Sequence, residues 1–216
     1  VQRSHQLGVF IRGSEATIEA TTVRDTLPDT QGLGRGLNVQ PNPTTAGPST
    51  LVLRGSLIET SREIGVFVSG SDASMEAAVV RDTLPDAQGD FGRGVNVESN
   101  PSTGSSSTLH LRGSLIEASH QIGVAVQGAE ATVEATVVRG TLPDSLGRGR
   151  GVDVQPNPTT GALSTLLLRR SLVETSREGG VFVAGSEATI EATVVRDTLP
   201  DALGSGRGVS VQSVTG

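Results

Sequence analysis

Three aspartate pairs recur along the chain, Asp25 and Asp29, Asp82 and Asp86, Asp197 and Asp201, each enclosing the same Thr-Leu-Pro. Carboxylate and loop carbonyl oxygens are suitable Ca²⁺ ligands, so these six residues are the candidate metal site. The spacing is not that of an EF-hand, and the GGxGxD pattern of calcium-binding β-rolls is missing. A fourth copy opens with Gly140 in place of the first aspartate. The expectation that fits better is structural: an aspartate capping a turn beside the adjacent arginine, with Pro85 and its equivalents setting the bend. No other cofactor is expected.

Catalytic groups are sparse. Of the three histidines, His5 and His120 fall where other copies carry Arg62 and Arg177, and His110 matches Val52. Serines are plentiful but lack a His–Asp context. The Gly-Arg-Gly segments at Gly34, Gly92 and Gly206 lead into extended sequence and not into a helix, so they are not phosphate loops. Every carboxylate recurs at repeat spacing and no segment stands out chemically, so the chain is expected not to be an enzyme.

Charged residues form a different pattern. One series runs Glu19, Arg54, Glu76, Arg112, Glu134, Arg169, Glu191, and a second runs Arg24, Glu59, Arg81, Glu117, Arg139, Glu174, Arg196. If members of each series stack, sign alternates at every step and each vertical contact is attractive. Exposed pairs contribute little individually, so the expected role is to fix register.

These series imply the elements that must carry them. GVFI at Gly8 returns as GVFV at Gly65, GVAV at Gly123 and GVFV at Gly180, at intervals of 57, 58 and 57 residues. Each unit divides into two related halves; LVLRGSLIE at Leu51 overlays ASMEAAVVR at Ala73 with a 22-residue offset. Within each half apolar residues alternate with polar ones, the signature of a strand. Three inward rows follow, one through Ile18, Leu53 and Met75, one through Val23, Ile58 and Val80, and one through Val9, Leu37 and Val66. A row of small residues, including Thr21, Ser56, Ala78 and Ser114, sits beside a bend marked by Gly55 or Ala77. No window shows helical periodicity, and no two-residue hairpin joins matching strands. The expected fold is all-β, a single-stranded right-handed parallel β-helix of about seven coils plus a partial one, with short and long coils alternating. One domain covers 1–216. Two longer loops, Asp82 to Gly94 and Glu98 to Ser107 with their equivalents, should protrude as stripes on alternate coils. An outward row, Phe10, Asn38, Phe67, Asn96, Ala125, Asp153, Phe182, Ser210, offers either a thin platform for sugar stacking or a hydrophobic contact beneath a loop. The row Thr17, Val52, Ser74, His110 is too mixed for an ice-binding array.

Composition agrees. The 216 residues include 28 Gly and four Phe, with no Trp, Tyr or Cys, which suits a narrow interior of stacked aliphatic side chains over an aromatic core. All 17 basic residues are Arg, and the net charge is −6 with both signs interspersed, giving no footprint for nucleic acid. No apolar run approaches the ~18 residues of a membrane helix, so no membrane insertion is expected.

The segments LVLRGSLIE…GVFVSG and ATVVRDT…GRGV resemble repeats of the pectate-lyase-like parallel β-helix superfold, and in particular the arrays of large surface or secreted proteins of myxobacteria and similar bacteria. The resemblance implies a right-handed solenoid and an extracellular or cell-surface setting, with no definite activity. One departure is that the family's internal asparagine ladder is replaced by Ser61, Thr83 and Ser119, so that turn should be less uniformly bonded. The expected function is a structural or adhesin-like scaffold displaying its loops. A carbohydrate-binding or polysaccharide-processing β-helix is the alternative, with a surface glycan as partner. The chain starts inside a strand at Val1 and ends just past Val211 without a capping sequence, so it is also expected to be a piece of a longer array, or to associate end to end.

Overall fold

A computed structural model describes residues 1–30 and 32–213; Val214 to Gly216, part of the tail noted above, lie outside the described residues. Every described element is a strand. Each coil passes through three sheets in turn, so that strands far apart in sequence lie side by side. The first sheet has seven strands, from Glu15–Glu19 to Glu187–Glu191. The second has seven, from Thr22–Thr26 to Val194–Arg196, and the third has eight, from Leu7–Arg12 to Gly206–Gln212. Sheet order follows coil order, and all strand pairs are parallel, as in a right-handed parallel β-helix.

The expected rows are the observed ones. Leu53 pairs with Ile18 on one side and Met75 on the other, Ile58 with Val23 and Val80, and Val66 with Leu37 and Val95. These side chains interlock in one continuous core in which Leu53, Met75, Val80 and Val95 are fully buried. β-branched residues favour this packing because their restricted rotamers fit the pleat.

Three corners turn the chain. At the first, between the first and second sheets, one residue per coil takes the left-handed conformation: Ala20, Gly55, Ala77, Gly113, Ala135, Arg170 and Ala192, with φ between 45° and 56°. The small row next to it forms a bonded hydroxyl ladder. Ser56 Oγ accepts from the Thr21 amide of the preceding coil at 3.1 Å and donates to the Arg54 carbonyl at 2.9 Å. Ser114 repeats this with the Ala78 amide and the Arg112 carbonyl, and Ser171 with the Thr136 amide and the Arg169 carbonyl. These hydroxyls satisfy amides that the bend removes from the sheet ladders. A second hydroxyl ladder lines the corner between the third and first sheets, where Ser49, Ser71 and Ser107 accept from the amides of Ser14, Ser49 and Ser71.

The corner after the second sheet differs. Thr26, Ser61, Thr83, Ser119, Thr141, Ser176 and Thr198 each bury a hydroxyl that finds no protein partner. At this turn the hydroxyls of Ser61, Thr83 and Ser119 form no ladder of the kind seen at the other two corners. Opposite this column stand glycines. A Cβ built on Gly65 would lie 2.6 Å from the Gly94 carbonyl oxygen, 2.6 Å from Val80 Cγ1 and 3.1 Å from Thr83 Oγ1. Gly36 and Gly94 are equally crowded. The recurrent glycine of the GVxV segments is therefore fixed by close approach between coils. Gly113, in contrast, has nothing within 4 Å of its ideal Cβ. Gly65→Ala should lower stability by about 1–3 kcal/mol through overpacking, and Gly113→Ala by about 1 kcal/mol, the cost of a left-handed alanine. Urea midpoints of the two variants check this; equal losses would show that the glycine column is not sterically set.

Candidate functional site

Both long loops flank the same strands. One loop enters and the other leaves Arg35–Gln40, Arg93–Glu98 and Gly149–Gln155, while the intervening strands of the third sheet are joined by shorter turns. The outer face of the third sheet thus becomes the floor of a groove running along the axis between two loop stripes. Three depressions lie along it. One, of about 300 Å³, has Leu33, Arg35 and Asn38 in its wall, a second, of about 360 Å³, lies between Pro41, Phe67 and Pro101, and a third, of about 200 Å³, is bounded by Arg93, Arg148 and Arg150.

Between its ends the floor is not an exposed platform. Asn38, Phe67, Asn96, Ala125, Asp153 and Phe182 are all buried, while Phe10 in the first coil is 44% exposed. The expected hydrophobic contact beneath a loop is not what covers the rings either; Phe67 and Phe182 lie under guanidinium groups carried by neighbouring strands. Arg35 lies 4.0 Å from the Phe67 ring centre and Arg150 3.7 Å from that of Phe182, each stacking on the strand of the following coil. A carboxylate locks each stack from the side. Glu63 bonds Arg35 at 2.9 and 2.8 Å, and Glu178 bonds Arg150 at 3.0 and 2.7 Å. Such two-point pairs are strong and directional.

The coil containing Ile122–Gln127 departs from this plan, correcting the expectation that no segment is chemically distinct. Gln121 stands where Glu63 and Glu178 do, and Ala125 where Phe67 and Phe182 do. Arg93 therefore has no ring on the next coil, lying instead over Phe91 of its own loop, 4.9 Å from the ring centre, and, among the described residues, it has no carboxylate within ion-pair distance. Instead its Nε bonds Gln121 Oε1 at 3.1 Å, and its Nη1 bonds Asn96 Oδ1 at 2.7 Å and Gln127 Oε1 at 3.2 Å. Burial pulls its pKa below the ordinary arginine value, against the more distant charges of Asp153, Glu98 and Glu63. Burial likewise pushes up the carboxyl of Asp153, despite the charge of Arg150 and a hydrogen bond from Gln155, and that of Glu98, despite a hydrogen bond from Asn96. For Arg150, burial opposes the charge, but the Glu178 hydrogen bond and Asp153 outweigh it and raise the pKa.

The two aspartates of each candidate metal pair do different things. Asp82 and Asp197 take a left-handed conformation, as does Asp25, and their carboxylates turn to Arg81 at 3.7 Å and Arg196 at 3.6 Å. Asp25 accepts from Gln2 at 3.4 Å. Asp86 Oδ1 accepts from the amides of Gln88 and Asp90, Asp201 Oδ1 from those of Leu203 and Ser205, and Asp29 Oδ1 from that of Leu33. Among the described residues no three His, Asp or Glu side chains converge as a metal site. The second aspartate closes its loop by accepting backbone amides, the geometry of a turn cap. His5 and His110 are exposed, and His120 forms a bridge with Leu142.

The charge series stack as the spacing requires. Glu19 pairs with Arg54, Arg54 with Glu76, and Arg112 with both Glu76 and Glu134; Glu134 then pairs with Arg169 and Arg169 with Glu191. In the second series Arg24, Glu59, Arg81, Glu117, Arg139, Glu174 and Arg196 follow one another in register. Contact is more selective than register. Each arginine of the second series reaches back one coil: Arg81 to Glu59 at 2.6 Å, Arg139 to Glu117 at 2.7 Å and Arg196 to Glu174 at 2.6 Å. Arg24 does the same to Gln2, at 3.1 Å. In the first series Arg54 bonds Glu19 and Arg169 bonds Glu134, both at 2.9 Å. Glu76, Arg112 and Glu191 share the register without closing an ion pair within 4.0 Å among the described residues. Hydrogen bonding to Glu59 raises the pKa of Arg81, and hydrogen bonding from Arg169 lowers that of Glu134.

No protein-family model matches the sequence, and no curated protein is significantly similar to it.

Two predictions follow from this geometry. Arg81→Glu should lower the urea midpoint, and adding Glu59→Arg and Glu117→Arg should restore part of the loss; a triple variant no more stable than the single one would exclude vertical pairing. Asp153 and Glu98 hold more protons in the folded chain than in the unfolded one. Their contribution to stability is therefore full below the unfolded carboxyl values, about 4, and is lost as pH rises through their higher folded values. Asp153→Asn, which copies Asn96, should remove that loss, so the variant gains stability relative to the parent as pH rises from about 3 through the folded carboxyl values, measured as the difference in urea midpoint.

Proposed function

We propose that the chain is a non-catalytic scaffold, a stiff β-solenoid that presents two stripes of loops along one groove. The observation that carries this reading is how regularly the charged side chains are committed. Glu59, Glu117 and Glu174 are each held by an arginine of the next coil, and Glu63 and Glu178 by an arginine of the preceding coil. Charges locked into inter-coil pairs hold register and stiffness, and loops on a rigid frame are where binding function usually sits. With strands ~4.8 Å apart, equivalent loops repeat at ~9.6 Å, a spacing suited to repeated contact with an extended partner. The pectate-lyase-like superfold, a likeness to myxobacterial surface arrays, an adhesin-like role and a cell-surface or extracellular setting belong to this proposal.

A second reading, carbohydrate binding, is favoured by the groove itself, whose polar depressions lie in line along the axis. Electrophoresis through gels cast with neutral or acidic polysaccharides, with reducing-end assays on the same polymers, separates the readings. The scaffold reading expects no new reducing ends and no retardation. Retardation without cleavage moves the assignment to carbohydrate binding, and cleavage of any polymer would overturn the non-catalytic reading.

A further inference from the structure

The third depression, near Arg93, combines two departures from the repeat with one addition. The carboxylate that faces the equivalent arginines is replaced by the Gln121 amide, and the ring beneath them by Ala125. In addition Arg148 stands where the first repeat has Leu33, so a further guanidinium borders the cavity. Arg148 is already engaged, donating to Asp144 at 2.8 Å, and Arg150 is engaged by Glu178 and Asp153. Arg93 is not engaged in this way. Glu63 fills both Nε and Nη2 of Arg35, and Glu178 fills the same two atoms of Arg150. Gln121 offers one acceptor, which takes Arg93 Nε; its other end is an amide nitrogen that donates toward Asp144 at 3.4 Å. Nη2 of Arg93 thus makes no hydrogen bond to any described residue. A largely buried guanidinium whose direct partners are the Phe91 ring and three neutral amides is less compensated than Arg35 or Arg150, each of which has a two-point carboxylate, and burying charge without a counter-charge is unfavourable.

We propose that this depression binds a carboxylate-bearing ligand, whose oxygens engage Arg93 Nη2 from the groove and supply the counter-charge that Glu63 and Glu178 supply to Arg35 and Arg150. Gln127 and Gln155, on the cavity wall, provide amide groups for hydroxyls or for the second carboxylate oxygen. A cavity of about 200 Å³ suits a small carboxylate. Asp153 sets a limit: it also lines the cavity, held 3.4 Å from Arg150, and disfavours ligands that bring several negative charges at once. A single carboxylate fits this balance better than a phosphate dianion.

The arginine Nε–Hε resonances of the ¹⁵N-labelled full chain read the site directly. Sodium glucuronate and sodium butyrate are titrated separately, with sodium chloride and sodium sulfate at matched ionic strength as controls. The Arg93 resonance should move saturably with a millimolar Kd, while that of Arg35, already filled by Glu63, should not. Gln121→Glu rebuilds the arrangement of the other repeats and should weaken binding at least tenfold while leaving the strand circular dichroism spectrum intact. Response to glucuronate alone identifies an acidic sugar, and equal response to butyrate identifies the carboxylate itself. The proposal is overturned if Arg93 responds no more than Arg35, if chloride or sulfate acts equally, or if the folded Gln121→Glu chain binds as tightly as the parent.

Discussion

In-register parallel pairing between successive coils is the interaction on which the rest of this molecule depends. It places each residue directly above its counterpart one coil away, so any property repeated in sequence becomes a continuous row in space. Leu53 meets Ile18 and Met75, Glu59 meets Arg24 and Arg81, and Ser56 meets the amide of Thr21. The apolar rows supply the burial and the charged rows discriminate between registers. The hydroxyl rows carry hydrogen bonding around two of the corners, where the sheets cannot. Because each coil contributes one layer of inward side chains to the core, such as Leu51, Leu53, Ile58, Val66 and Val68, it leans mainly on its two neighbours, and stability accumulates coil by coil.

The corners show how little latitude this arrangement leaves. Alanine occupies a left-handed position at Ala20, Ala77, Ala135 and Ala192, a conformation that costs a non-glycine residue about 1–2 kcal/mol and persists because the sheets on either side dictate it. Glycine is demanded elsewhere, at Gly36, Gly65 and Gly94, where the constraint is not a backbone angle but the carbonyl of the next coil. Position in the coil, more than local preference, decides which small residue is acceptable.

Much of this was legible in the sequence because a period-two pattern inside a 57–58-residue repeat leaves few alternatives: the rows, the bend at Gly55 or Ala77 and the fourteen alternating charges all follow from aligning the repeats. What the alignment could not convey was direction outside the coil. Strand alternation says that Phe67 and Phe182 point away from the core, but not that Arg35 and Arg150 fold back over them, since that depends on long side chains with many rotamers. Nor does vertical alternation say which neighbour an arginine selects; Arg81 and Arg139 each take the preceding glutamate although another stands on the following side. The substitutions Gln121 and Ala125 were visible as letters. They became informative only when the structure showed that both positions serve the same guanidinium.

The alternation of sign and of loops gives the array a parity. Glutamate and arginine exchange places at every coil, and each long loop appears at every second one, so a coil is not interchangeable with its neighbour but only with the next but one. Removing or inserting a single coil would set like charges on top of each other in both ladders at once and bring two copies of one loop against each other at ~4.8 Å. Removing or inserting a pair would leave every row unbroken. Whole steps of 57 or 58 residues, one double coil each, are therefore the changes of length that keep every row of the array in phase.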